Sequence, residues 1–172
     1  MTDKIKHVEA LIDEIYSVLG VEITERNIDT PHRIAKFWCN EVFAPKDIKE
    51  LDKVMKAFPN PAPIEGTASP VVCEMEFHSY CEHHLLPFFG KCRIEYTPAE
   101  KILGLSKFNR IVNFFSEQPQ TQENLTVEIC RYIKKITGGK NVRVTLYDTT
   151  HTCVECRGVR GKSNTTTTYF ID

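Results

Sequence analysis

The sequence predicts an α+β fold in which an N-terminal helical part precedes strands and helices in the order ββααββ. Three observations predict it. Apolar residues recur at helical spacing before residue 59 and again between 106 and 137. They alternate at strand spacing on either side of that second helical stretch. Between the two regimes lies a run with four prolines, Pro59, Pro61, Pro63 and Pro70.

Residues 4–19 place Ile5, Val8, Leu11, Ile12, Ile15, Val18 and Leu19 on one helical stripe, with Gly20 as the expected C-cap. Asp29-Thr30-Pro31 reads as the next helix start, with Asp29 or Thr30 as cap and Pro31 at the first helical position. Ile34, Phe37, Trp38 and Val42 continue as its apolar face, and a third short helix is expected near 47–58. Residues 59–70 are the expected linker, dividing a helical region (1–70) from a sheet-bearing domain (71–172). Strands are expected at 71–77 and 89–97, where Ile94 and Tyr96 alternate with Arg93 and Glu95. A helix over 106–116 carries Phe108, Ile111, Val112 and Phe115 at i, i+3, i+4 and i+7. The next, over 121–137, turns Leu125, Ile129, Ile133 and Ile136 inward and stops at Gly138-Gly139. Val142, Val144 and Leu146 mark another strand, and the threonine-rich stretch from Ser163 to Phe170 suits a last one. No internal repeat is visible.

At 172 residues the chain is long enough to bury roughly 70% of its unfolded surface, so disulfide staples are not needed. Its net charge of −1 argues against bulk binding to nucleic acid, though not against a local cationic pocket. The start, Met1 to Lys6, has no apolar core and predicts no signal peptide. No apolar run approaches the roughly 18 residues a membrane span needs. A cytoplasmic protein is therefore expected, with no membrane partner. There the seven cysteines would stay reduced and serve as metal ligands, catalysts or small buried hydrophobes.

Two clusters carry the chemistry. Cys81-Glu82-His83-His84 spaces a thiol and an imidazole three residues apart, within reach of one ion across a single turn. His151-Thr152-Cys153-Val154-Glu155-Cys156-Arg157 offers further donors late in the chain. Thiolate with imidazole favours Zn²⁺. Cys81, His84, Cys153 and Cys156 together would close a structural site. Cys81, His84 and Cys153 alone would leave a fourth position for water, the catalytic pattern. His83 and His151 flank these donors and are superfluous to a structural site, whereas hydrolysis needs proton shuttles. Ser106, Lys107 and Arg110 begin a helix; the segment alone reads as a helix start with two solvated cations before it reads as an anion site. Glu123, after Gln122, can accept both the ring N–H and the exocyclic amine of guanine, or simply stabilise a helix's first turn.

Five stretches together resemble the GTP cyclohydrolase I family: residues 29–36 (DTPHRIAK), 79–88 (SYCEHHLLPF), 104–112 (GLSKFNRIV), 120–126 (QTQENLT), and His151-Thr152-Cys153 with Arg157-Gly158-Val159. The resemblance implies the tunnelling fold, or T-fold: an antiparallel four-stranded sheet with two helices between strands two and three, closing with other subunits into a barrel. Two pentameric barrels would stack into a homo-decamer with active sites between subunits. It implies Cys81, His84 and Cys153 as zinc ligands and His83 and His151 as acid/base residues. Glu123 would recognise guanine, with Gln122 beside it. Ser106 would touch ribose or phosphate, and Lys107, Arg110 and Arg157 the triphosphate. The implied reaction is zinc-dependent hydrolysis of GTP to 7,8-dihydroneopterin triphosphate and formate, a first step toward tetrahydrofolate, another pterin or a deazaguanine base. His151 would protonate the purine nitrogen as hydroxide adds to C8.

This chain departs from the family's pattern in four places. Glu117, Gln118 and Asn124 stand where arginines are usual, and Cys156 where cysteine is not. The sequence ends at Asp172, soon after the last expected strand, so the family's usual terminal helix is not expected. Two other readings are a non-enzymatic zinc module with a Cys₃His site and a tunnelling-fold enzyme acting on a deazapurine or pterin.

Overall fold

In a computed structural model, which describes residues 2–61 and 71–172, helix α1 spans Thr2–Val18 and α2 spans Thr30–Phe37. A π-helical turn, Trp38–Val42, follows α2. Gly20 closes α1 as expected, its N–H donating to Ser17 O while Val21 N–H reaches Tyr16 O. Asp29 is the N-cap of α2 by position, but its carboxylate makes no capping bond and pairs with Arg33 instead (3.3 Å). His32 Nδ1 meets Glu9 Oε2 at 2.8 Å and ties α2 to α1. The stripe expected along α1 is largely unburied: Ile12 is 4% exposed, yet Leu11 and Ile15 keep nearly half their surface and Val18 80%. A single partner helix can cover only one line of an amphipathic face. The contacts of the chain gather into two compact units, Met1–Pro45 and Lys46–Asp172.

The second unit carries the sheet. Helix α3, Ile48–Val54, is shorter than expected, and the Asp47 carboxylate caps it by accepting from Lys49 N–H (2.9 Å). Residues expected in that helix and at the start of the linker instead form β1, Ala57–Pro59, paired with β4, Lys101–Leu103. The rest of the expected linker, residues 62–70, lies outside the described residues. Strands β2 (Val71–Cys81), β3 (Pro87–Thr97), β6 (Lys140–His151) and β7 (Asn164–Ile171) form an antiparallel sheet in that order. The two-residue strand β5, Pro119–Gln120, adds a parallel edge beside Tyr80 and Cys81. Helices α4 (Ser106–Ser116) and α5 (Gln122–Thr137) come between β3 and β6 in the chain, so the order ββααββ holds for the long elements.

The expected periodicities are what the core uses. Phe108, Ile111 and Val112 of α4 and Leu125, Ile129 and Ile133 of α5 are at most 1% exposed. They pack with Phe77, Ile94, Val144 and Leu146 in one apolar cluster. Each such side chain contributes roughly 1.5–3 kcal/mol by leaving water. Phe115 and Ile136, at the margins of those stripes, are only partly buried. Among the described residues no helix is long and apolar enough to cross a membrane.

Gly90 sets the register that brings the ends of β3 and β6 together. The β3–β6 ladder shifts between Phe89 and Lys91, and a Cβ on Gly90 would lie 2.8 Å from Tyr147 O and 2.9 Å from Thr149 Cα. These are backbone atoms that no rotamer change relieves. Gly90→Ala is therefore expected to cost about 1–3 kcal/mol, read as a lowered denaturant midpoint. An unchanged midpoint would contradict the close approach.

Candidate functional site

Strand β2 runs four residues beyond its expected end, to Cys81, and β3 begins at Pro87. The tight turn between them holds Glu82, His83 and His84. Cys81 O accepts from both His84 N–H (3.2 Å) and Leu85 N–H (2.7 Å), and Cys81 N–H donates to Leu86 O (2.8 Å). This folds the histidines back over the cysteine. Glu82 N–H donates to Gln120 O (3.1 Å) and ties the turn to β5.

The second cluster arrives from β6. His151 pairs with Phe88 across the ladder, so the end of β6 stands beside the start of β3. The chain turns there into a short helix, α6 (Thr152–Glu155), whose Thr152 Oγ1 donates to Pro87 O (2.6 Å). Cys153 is thereby delivered to the hairpin. One ligand atom each of Cys81, His84 and Cys153 lies within 4.8 Å of the others, the single such group among the described residues. Cys81 Sγ is 3.6 Å from His84 Nδ1. A tetrahedral zinc ion bonded at about 2.3 Å to sulfur and about 2.0 Å to nitrogen would set such donors roughly 3.5 Å apart, so the pair fits the ion. Cys156 stands apart: its exposed Sγ donates to Thr152 O (2.7 Å), one helical turn back. Burial first, then the hydrogen bond and charge of Cys81, holds the Cys153 thiol above its ordinary value. A cation between the two sulfurs would reverse that preference.

A cavity of about 160 Å³ opens on this group, lined by Cys81, His83, His84, Phe88, Gln120, Thr121, Gln122, Glu123, His151 and Cys153. Thr121 caps α5 by accepting from Asn124 N–H (3.2 Å), which sets Gln122 and Glu123 in the first turn. The His151 ring lies flat on Phe88, centroids 4.9 Å apart and planes 8° from parallel. Burial pushes the His151 pKa down, and the Glu123 carboxylate partly opposes this. His83 Nε2 is 3.7 Å from Glu82 Oε1, and its Nδ1 is 3.8 Å from Cys81 Sγ.

Gln122 is 3% exposed, and its amide faces His151 Nε2 (2.7 Å), Leu146 O and Thr165. Arg157 Nη1 reaches His84 Nε2 at 2.5 Å. Ser106, Lys107 and Arg110 do not line the cavity; they occupy the first turns of α4. Ser106 does not cap that helix, whose N-cap position is Leu105. Phe88, Gln120 and Thr121 were not singled out by chemistry, since an apolar ring and a cap signal nothing catalytic. Phe88 closes the SYCEHHLLPF stretch, and that proximity was the available signal.

The comparisons with known proteins bear on this geometry. The GTP cyclohydrolase 1 of Tolumonas auensis is 39% identical over 171 residues, covering 96% of this chain and 76% of that one. That of Edwardsiella ictaluri is 36% identical over 162 residues, covering 94% and 72%. Among solved structures, the archaeosine synthase QueF-Like in the apo form reaches a TM-score of 0.44 at 18% identity, over 60% of this chain and 95% of that chain, too slight a likeness to argue from. The family model described as GTP cyclohydrolase I matches residues 8–172, which takes in both donor clusters and all the elements that deliver them. By that match and those relatives, this chain belongs to the GTP cyclohydrolase I family.

Proposed function

We propose that this chain is a zinc-dependent enzyme that hydrolyses GTP to 7,8-dihydroneopterin triphosphate and formate, with Cys81, His84 and Cys153 as the zinc ligands. The GTP cyclohydrolase I activity is that of the family and of the named relatives. One observation carries the assignment of the site: three sulfur and nitrogen donors converge in the same cavity as two histidines outside the donor group and a carboxylate. A closed, structural site would need Cys156, whose thiol is turned to Thr152 O. Bound there, zinc would supply a water whose pKa lies at about 7.

The chain's own residues do the rest. Glu123 accepts from the guanine ring N–H and its exocyclic amine, a pair of donors adenine lacks. His151, held flat on Phe88, carries a proton to the purine nitrogen, and His83, beside Glu82, serves as the second acid/base group. Arg157, which touches the cavity residue His84 without lining the cavity itself, binds the triphosphate, and Gln122 stands behind His151. Ser106, Lys107 and Arg110 bind ribose and triphosphate from a neighbouring subunit, since in a single chain they lie away from the cavity. That arrangement suits a T-fold barrel closed by several copies of the sheet and stacked as a decamer. The seven free cysteines suit a reducing, cytoplasmic setting. The product feeds tetrahydrofolate, another pterin or a deazaguanine base.

Incubation of the zinc-loaded protein with GTP, following pterin absorbance and formate release, tests the reaction. Absence of both products would overturn it. Glu123→Gln presents an amide N–H where guanine also donates, so GTP should bind on the order of 10²-fold more weakly. ATP should not be turned over. Equal binding of GTP and ATP by the parent would remove the guanine assignment.

A further inference from the structure

Gln120 has no part in the mechanism above, although it lines the cavity and is only 4% exposed. Both ends of its side-chain amide are taken by α5. Nε2 donates to Glu128 Oε2 at 2.6 Å, and Oε1 accepts from Asn124 Nδ2 at 2.8 Å. Glu128 itself lies further along the helix and does not line the cavity. Its bond to the amide is short and has a carboxylate acceptor, the stronger kind of hydrogen bond.

The backbone of Gln120 serves the hairpin instead. Gln120 pairs with Cys81 in the two-residue ladder of β5 on β2, and its O accepts from Glu82 N–H (3.1 Å). The chain before β5 has an anchor of its own, Ser79 Oγ donating to Gln118 O (3.2 Å). Gln120 is therefore the joint between the strand end that carries Cys81 and the first turn of α5, which carries Glu123. A ladder of two pairs is a weak hinge by itself; the grip of α5 on the buried amide is what keeps the joint at one angle. Without Glu128 the amide N–H would be left unpaired and buried, and Gln120 would shift to find a partner.

We propose that Glu128 is a positioning residue, acting through Gln120 to hold the Cys81–Glu82 corner in a fixed place against the first turn of α5. Only the catalytic consequence rests on the proposed reaction, in which Glu123 holds guanine beside the Cys81, His84 and Cys153 donors. A misplacement of about 1 Å arising away from the chemistry can lower a rate by about 10²-fold.

The test compares Glu128→Leu with Glu128→Gln, whose amide oxygen can still accept from Gln120, in the zinc-loaded protein. Hydrogen–deuterium exchange at Glu82 N–H, read by mass spectrometry with fragmentation, reports the joint, and steady-state kinetics report GTP turnover. Glu128→Leu should exchange Glu82 N–H roughly tenfold faster and lower kcat by roughly tenfold or more, with KM and zinc content within about twofold of the parent. Glu128→Gln should stay near the parent in every readout. Asn124→Ala, which removes the other arm of the clamp, should move exchange and kcat the same way by a smaller factor, and it decides the matter if Glu128→Leu does not fold. Unchanged exchange at Glu82, faster exchange with unchanged kcat, or equal losses in Glu128→Gln and Glu128→Leu would overturn the proposal. Faster exchange in the variants of a parent that does not turn over GTP would support the joint and count against the reaction instead.

Discussion

Cys81→Ser and Cys153→Ser are expected to bind zinc roughly 10²–10³-fold more weakly than the parent. Zinc sites of four protein ligands are worth about 10–16 kcal/mol, so one ligand accounts for about 2.5–4 kcal/mol. A serine hydroxyl does not replace a thiolate. The two ligands reach the same end of the sheet from distant points of the chain, Cys81 from the end of β2 and Cys153 from α6 after β6, and loss of either leaves a two-donor remnant. Cys156→Ala should behave oppositely and keep one zinc per chain with most of the activity, because its thiol is bonded to Thr152 O. Metal analysis after dialysis and a zinc competition titration read these outcomes directly. Release of zinc from Cys156→Ala would show a closed Cys₃His site and favour a non-enzymatic module.

His151→Ala is expected to lower turnover of GTP by about 10²–10⁴-fold while leaving zinc content unchanged. The ring is not in the three-donor group; it is clamped between Phe88 and Gln122. His83→Ala should fall in the same range, since His83 also lies outside that group and faces Glu82. Single-turnover rates beside metal content separate the two roles. If His151→Ala lost its zinc, the ring would belong among the ligands and the proton-transfer role would fall.

The long elements were legible because each repeats its pattern over several turns or pleats. Helix α4 shows Phe108, Ile111 and Val112 at helical spacing, and α5 shows Leu125, Ile129 and Ile133 with a stop at Gly138. Strands β1, β4 and β5 were not legible, since two or three residues carry no periodicity. Their pairing is decided by what the rest of the fold brings alongside. The stripe on α1 was read correctly as amphipathic but not as unburied, because burial depends on which element faces a helix and not on its own spacing.

The site divides in the same way. Residue types by themselves determined the donor chemistry: two thiols and an imidazole in short motifs, with histidines to spare, point to a catalytic metal rather than to a core. The resemblance carried the family and was upheld by the match over residues 8–172. Only the tertiary structure decided that the donors meet. The hairpin folds His84 back on Cys81, and the β3–β6 register sets His151 against Phe88, so that Cys153, about 70 residues later in the chain, arrives at the same point. The direction of Cys156 was likewise undecidable from a three-residue spacing; a short helix put its thiol within reach of the carbonyl one turn back. The burial of Gln122 behind His151 had no sequence signal at all, because it follows from where β7 lies against α5, and strand neighbours distant in sequence are chosen by packing.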